Sequence, residues 1–464
     1  MDKIFQLYMN LRLTLITIVM VSITSCRKFV EIGPAPNLVA TSAIFENDKT
    51  ATAAAVQVYA QMRISNQKFT DAGMSVYGGL SSDEIFNTTS NATWDPFLKN
   101  DLTDMDGSIK TNFWNTAYVN LYQVNAILEG ISKSDNLSES TRKQLTGEMK
   151  TVRAWYYFYV VNLFGDVPLV ISTDYRTNEI MPRTPVAHVY DQIIKDLKDA
   201  QELLSDSYPS AGKARPNKWV ATALLARVYL FLKDWTNADI QASSIINSNQ
   251  YSLVSDLNSV FLKNSSETLW EIAPRNGLGS TNIANYYIPS SPSSVPQFSI
   301  TSDLINAFEA GDLRKISWIK TVSIGNQAYN YPFKYKEKST SSNINEYNTV
   351  LRLDEQYLIR SEARAEMGRI PDALADLNII RARAGLGNTT ATDKPTLLSA
   401  ILHERQVELF TEWGHRWLDL KRTGKVDSVL TQEKGANWQA TDALYPIPFD
   451  ELKYNPSLIQ NPGY

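Results

Sequence analysis

Acids, histidines and loop aromatics are the residues of this chain whose types and spacing suit chemistry. Glu404, Glu408 and Glu412 recur every four positions, which on a helix aligns them along one face. Three like charges so placed repel unless they are paired, and Arg405, Arg416, Arg381 and Arg383 are the expected partners. A metal-holding strip is the functional alternative, but no oxygen-rich loop lies nearby, so no metal ligand is assigned. Asp83 and Glu84 fall in a polar stretch and are the acid pair that a glycoside hydrolase would need across a cleft. Adjacent acids in such a stretch serve more often as caps or solvated groups.

His188, His403 and His415 are the three histidines. His403-Glu404 lacks the second histidine of a zinc HExxH helix, and His403 and His415, twelve apart on one helix, lie too far from each other to share an ion. The G-x-S-x-G elbow, the phosphate-binding loop and the dinucleotide glycine pattern are all missing, and Gly277-Leu278-Gly279 has no third glycine and no preceding strand. The expectation is no catalytic residue and no cofactor. Aromatics outside the clearest helices carry more information: Trp94, Trp270, Tyr286, Tyr287, Trp318, Tyr329 and Tyr331. Flat rings meet the C–H faces of sugars while amides and acids bond the hydroxyls. Asn91, Trp94, Asp95, Tyr286, Tyr287 and Trp318 are therefore the candidate ligand-binding residues, against the plainer reading that such rings pin loops to a scaffold.

Those loops need a frame, and the frame reads as helical. Residues 401–424 place Ile401, Val407, Leu409, Phe410, Trp413, Trp417, Leu418 and Leu420 at three-to-four spacing, which predicts one buried helix ending at Gly424. Residues 139–164 carry the aromatic run Trp155-Tyr156-Tyr157-Phe158-Tyr159, expected in the core. Residues 189–204 form an amphipathic helix. Residues 218–232 and 234–246 recur in style at 352–367 and 371–384. Setting Tyr229 against Arg364 brings Ala238 over Ala373 and Ile245 over Ile380, an offset close to four tetratricopeptide units. The fold class expected is mainly α, a tetratricopeptide-like scaffold of helical pairs with long irregular loops and a few short strands.

The N-terminal part is distinct. Lys3 and Arg12 precede an apolar run at residues 13–23, too short to span a bilayer, which leads into Ile23-Thr24-Ser25-Cys26. That is the pattern of a lipoprotein signal at residues 1–25 with Cys26, the one cysteine of the sequence, as the acylated residue. Residues 26–42 read as a lipidated tether. Residues 43–464 read as a single helical domain with a loop-rich insert at about 249–348, rich in Ser, Asn, Tyr and Pro. The net charge of −4 and the lack of a basic patch exclude nucleic acid as a partner.

Several stretches together resemble the SusD/RagB family of surface nutrient-binding lipoproteins: the lipobox, RAWYYFYVVNLFGDVPLV (153–170), PNKWVATALLARVYLFLKDW (216–235), RLDEQYLIRSEARAEMG (352–368), ALADLNIIRARAG (373–385), residues 404–424, Tyr445-Pro446-Ile447-Pro448 and the final QNPGY. The resemblance implies a SusD-like helical scaffold, anchored by lipid to the outer membrane and facing outward. It implies binding of a glycan or other nutrient and delivery to a TonB-dependent SusC-like transporter, with no reaction catalysed. A glycan-cleaving surface enzyme and a non-catalytic interaction scaffold are the competing readings. These motifs belong to the scaffold and carry no ligand residue over to this chain.

Overall fold

The computed structural model describes residues 3–10, 41–63, 67–274, 281–338 and 344–464. Cys26 and the apolar run before it lie outside the described residues, as does nearly all of the tether. Among the described residues no helix is long and apolar enough to cross a membrane.

Helical spacing of small and large apolar residues produces the frame. The helices that build it are α1 (Asp48–Met62), α2 (Met74–Ser81), α3 (Asn115–Lys133), α4 (Glu139–Phe164), α5 (Val186–Leu203), α6 (Lys218–Phe231), α7 (Trp235–Asn247), α8 (Leu353–Glu366), α9 (Ile370–Arg383), α10 (Lys394–Leu409) and α11 (His415–Arg422). They stack in an unbroken series: α1 on α3, α3 on α4, α4 on α5, α5 on α6, α6 on α7, α7 on α8, and α8 on both α9 and α10. Side-chain oxygens cap several N-termini, Asn47 for α1, Ser138 for α4 and Asn217 for α6, which satisfies donors that a helix start leaves free. The aromatic run of α4 lies in the core, with Trp155 stacked on Phe69 and edge-on to Trp270 and Trp413.

The internal repeat holds to the residue. Displacing the pair α6–α7 by the sequence-derived offset lays Lys218 on Leu353 and Trp235 on Ile370, the first residues of all four helices. Ala238, Ala373, Ile245 and Ile380 are all fully buried. Gly368 takes a positive φ in the turn between α8 and α9, and Pro371 opens α9. Lys233, its counterpart between α6 and α7, adopts the same left-handed conformation without a glycine.

Among the described residues six short strands, β1 (Ile85–Asn87), β2 (Thr268–Ile272), β3 (Phe298–Ile300), β4 (Ile319–Ile324), β5 (Gln327–Pro332) and β6 (Asn348–Arg352), form three antiparallel ribbons: β1–β3, β2–β6 and β4–β5. Four of them lie wholly within the loop-rich stretch. Register pairs Ile85 with Ile300 and Asn87 with Phe298, so that stretch is stitched to the N-terminal part by β1.

One expected element is corrected. Residues 401–424 are not a continuous helix: α10 stops at Leu409 and α11 begins at His415, with Thr411, Trp413 and Gly414 at φ 53, 48 and 68 between them. The freed backbone groups go elsewhere. Thr411 N–H donates to both oxygens of Glu84 at 3.2 Å, and Trp413 N–H donates to Ser75 Oγ at 3.1 Å. Gly414 lies so close to Gly78 of α2 that a Cβ built on Gly78 would come within 2.8 Å of Gly414 Cα. Glycine at position 78 allows that approach, while a Cβ on Gly414 would meet Met74 Cε at 2.3 Å.

Glu84 is buried, and desolvation first, then the charge of Asp83, push its carboxyl up to about 8. In the unfolded chain it ionises at the ordinary carboxylate value, so between those pH values the native state holds a proton that the unfolded state has lost. Stability from this group therefore falls as pH rises from 5 to 8. Glu84→Gln, which cannot ionise, is expected to gain on wild type by roughly 2–4 kcal/mol across that window, at about 1.4 kcal/mol per pH unit. Urea midpoints of both proteins at pH 5 and pH 8 check this; a constant difference refutes it.

Candidate functional site

The acidic strip is a buried charge lattice. Glu404, Glu408 and Glu412 are all nearly inaccessible. Arg314 Nη1 bridges Glu404 and Glu408 at 2.6 and 2.8 Å. Arg352 reaches Glu408 at 2.8 Å and clasps Glu412 through Nε and Nη2 at 2.9 Å each. Arg381 pairs with Glu404, Arg383 with Glu408 and Glu267, and Lys334 with Glu412. Two of the four partners expected from sequence thus hold. Arg405 instead bonds Asp419, and Arg416 clasps Asp83. Arg314, Arg352 and Lys334 come from segments whose proximity no local spacing reveals. Burial works against the charge of Glu408, yet Arg383, Arg352 and Arg314 hold it well below the usual carboxylate range. The lattice fastens the loop-rich stretch to α10, and it is saturated by its own cations.

The hydrolase pair is likewise spent on structure. Asp83 is 4% exposed and bidentate to Arg416; Glu84 is 1% exposed and takes the Thr411 amide. Neither faces a cleft, which corrects the reading of a polar surface loop. His415 is buried near Arg227, and burial lowers its pKa well below the usual histidine value; His403 Nε2 lies 2.7 Å from the Ala307 carbonyl; His188 is an exposed neighbour of Asp191. Among the described residues no group of His, Cys, Asp or Glu is arranged to hold a metal ion.

The loop aromatics divide. Five of the six nominated residues gather on one face. Trp94 packs edge-on against Tyr286 at 5.8 Å and Phe298 at 5.3 Å, over Tyr77 at 4.9 Å. Tyr287 adjoins Phe298 at 6.2 Å. The β1–β3 ribbon sets this geometry by delivering Phe298, and Thr281 caps the short helix Asn282–Tyr287 that carries both tyrosines. Outside the rings lies a polar rim. Asp95 Oδ1 accepts from Asn87 Nδ2 at 2.5 Å and from the Asn91 amide at 3.1 Å, and its Oδ2 accepts from Ser90 Oγ at 2.6 Å. Those bonds, that of Ser90 foremost, lower the Asp95 pKa and curl residues 87–95 into one turn. Asn91, Ser90 and Thr89 are exposed along it.

The rings themselves are more enclosed than the sequence suggests. Trp94 is 3% exposed, Tyr286 7% and Tyr287 2%, so they form the floor of the face and the rim forms its open part. Trp318 lies elsewhere. It is fully buried, donates Nε1 to the Leu257 carbonyl at 2.8 Å and has Lys334 Nζ 4.8 Å over its ring. As placed, it presents no face to a ligand. Trp270 is also buried, against Trp155. Asn87 and Ser90 were missed because their part depends on Asp95 drawing the turn together; the run of Asn, Thr and Ser around Asn91 was the available signal.

Comparison with known proteins bears on the family and the fold. The family model described as "Starch-binding associating with outer membrane" matches residues 45–230, and the one described as "SusD family" matches residues 317–464. A SusD-like protein of Formosa agariphila is 24% identical, over 95% of this chain and 97% of that one. The starch-binding protein SusD of Bacteroides thetaiotaomicron is 22% identical, over 97% and 98%. Among solved structures, a "Laminarin binding SusD-like protein" superposes with TM-score 0.77 at 26% identity, over 90% of this chain and all of that one. A SusD superfamily protein of Bacteroides vulgatus reaches TM-score 0.81 at 19% identity, over 91% of this chain and all of the other, a likeness of fold.

Proposed function

We propose, from the premise that this chain belongs to the SusD family, that it captures a neutral glycan at the cell surface and passes it on without cleaving it. The observation that carries this reading is the convergence of Asn91, Trp94, Asp95, Tyr286 and Tyr287 on one face of a rigid helical frame. Asn91 and Ser90 offer hydroxyl-bonding groups, and the enclosed rings of Trp94, Tyr286 and Tyr287 support that rim from beneath. Loops positioned by a packed scaffold are the usual seat of such binding. The starch-binding and laminarin-binding names of two relatives favour a glucan as the first probe. We further propose acylation at Cys26, an outward-facing position on the outer membrane, and a TonB-dependent SusC-like transporter as recipient. The burial of Asp83 and Glu84 favours binding over hydrolysis.

Electrophoresis through gels cast with laminarin or soluble starch tests the face. Asn91→Ala is expected to weaken retention about 5-fold, the loss of one hydrogen bond worth roughly 1 kcal/mol, with an unchanged melting temperature. Asp95→Ala, which releases Asn87, Ser90 and Asn91 together, is expected to weaken it further. Wild-type retention in both variants removes this face from the site. Reducing ends released from either polymer by the purified protein overturn the claim of binding without turnover.

A further inference from the structure

We infer that a second saccharide subsite occupies the groove between α3, the segment around residues 168–179 and the short helix Phe449–Tyr454. The inference rests on the reading that the chain binds a neutral glycan. The groove encloses about 830 Å³, inside the range of about 300–1,000 Å³ typical of small-ligand sites. Three tyrosines from three separate segments line it, Tyr122 at 52%, Tyr175 at 66% and Tyr454 at 75% exposed. Large rings left open in one concavity are uncommon, since buried rings contribute most of a core's stability. Most of the aromatics singled out from the sequence are folded away; Tyr122, Tyr175 and Tyr454, which the sequence did not mark, stand open.

Polar groups share the lining. Asn178 reaches the groove, and its Oδ1, shielded from solvent, has no hydrogen-bond partner among the described groups although its Nδ2 donates to Ser172. A buried acceptor left open in this way fits a ligand hydroxyl. Glu179 and Glu451 add two carboxyls, that of Glu451 hydrogen-bonded to Trp114, while Arg176 and Lys453 stand over the Tyr175 and Tyr454 rings at 5.8 and 6.0 Å without being part of the lining. The two lining carboxyls disfavour phosphate, sulfate and uronate ligands and suit a hydroxyl-rich neutral chain. Exposed rings beside the unpaired Asn178 Oδ1 suit a hexopyranose, with its apolar C–H face and its hydroxyl donors. The groove is built by α3, which begins next to the segment whose Asn112 bonds Tyr77 beneath Trp94, so one helix links the two sites.

The test uses the purified chain in laminarin and starch gels, with four proteins alongside wild type: Asn91→Ala, the triple variant Tyr122→Ala/Tyr175→Ala/Tyr454→Ala, the same triple change to Phe, and the alanine triple combined with Asn91→Ala. Two linked subsites on one polymer bind with an avidity that either alone lacks. The triple alanine variant is expected to lose retention at least 10-fold with its melting temperature unchanged, while the triple phenylalanine variant, which keeps the ring faces, stays within about 3-fold of wild type. Combining the alanine changes with Asn91→Ala is expected to abolish retention. Full retention by the triple alanine variant, or loss of transporter co-purification in its place, overturns the subsite and leaves the Asn91 face standing. Wild type that neither polymer retains overturns both.

Discussion

Arg352→Ala is expected to destabilise the protein by about 3–5 kcal/mol, the cost of removing one partner from a buried ion pair. Five groups lose their contact at once: the carboxylates of Glu408, Glu412, Glu267 and Asp354 and the Glu408 carbonyl. Burial, working against the charge of Arg352, pushes the Asp354 carboxyl well above its ordinary range, and removing Arg352 takes away the nearest charge that favours its ionised form. Arg352→Met is expected to fare nearly as badly, because refilling the space leaves the same acids uncompensated. Lys143→Ala, which breaks an exposed pair with Glu139, is expected to change nothing measurable. Urea unfolding of the three variants checks the contrast. A midpoint for Arg352→Ala equal to that of wild type would show that the lattice does not hold the fold.

Trp318→Ala carries the second large effect, and its direction reverses what loop position alone suggests. A ligand platform can be truncated with little harm to the fold. A tryptophan with no exposed surface, bonded to Leu257 and packed against Phe261 and Phe410, leaves a cavity on truncation and is expected to cost about 3–5 kcal/mol. Glucan retention per folded molecule, measured well below the unfolding midpoint, is expected to match wild type. A variant of normal stability with lost retention would restore Trp318 to the binding face.

The contrast between Trp94 and Trp318 shows which parts of this protein its sequence discloses. Both rings sit among polar neighbours in stretches without helical period, so local pattern treats them alike. What separates them is long-range: Trp94 is met by a strand some two hundred residues away, and Trp318 by Leu257, Lys334 and Phe410. The helical frame was legible because its determinants are local and recur. Ala238 and Ala373 are buried for one reason, the close approach of paired helices, and that reason is written twice in the chain. The break at residues 410–414 was not legible, since apolar spacing continues through it and the groups that stabilise it, Glu84 and Ser75, come from the opposite part of the sequence. The same distance hid Arg314 and Arg352 as partners of the acidic strip. The polar and aromatic residues of the proposed face were legible in composition, and their division into enclosed rings and open rim was not.

The Gly78–Gly414 approach, the Asp83–Arg416 clasp and the Ser81–Tyr445 bond all join residues more than three hundred positions apart. Early helices therefore emerge during synthesis with acids whose counter-charges do not yet exist. Closing loops of that length is slow, and the waiting chain exposes apolar surface to its neighbours. A nascent chain of this kind acquires its native architecture only after the residues around Arg416 and Tyr445 have been made, so its folding is gated by the end of synthesis rather than by its first helices.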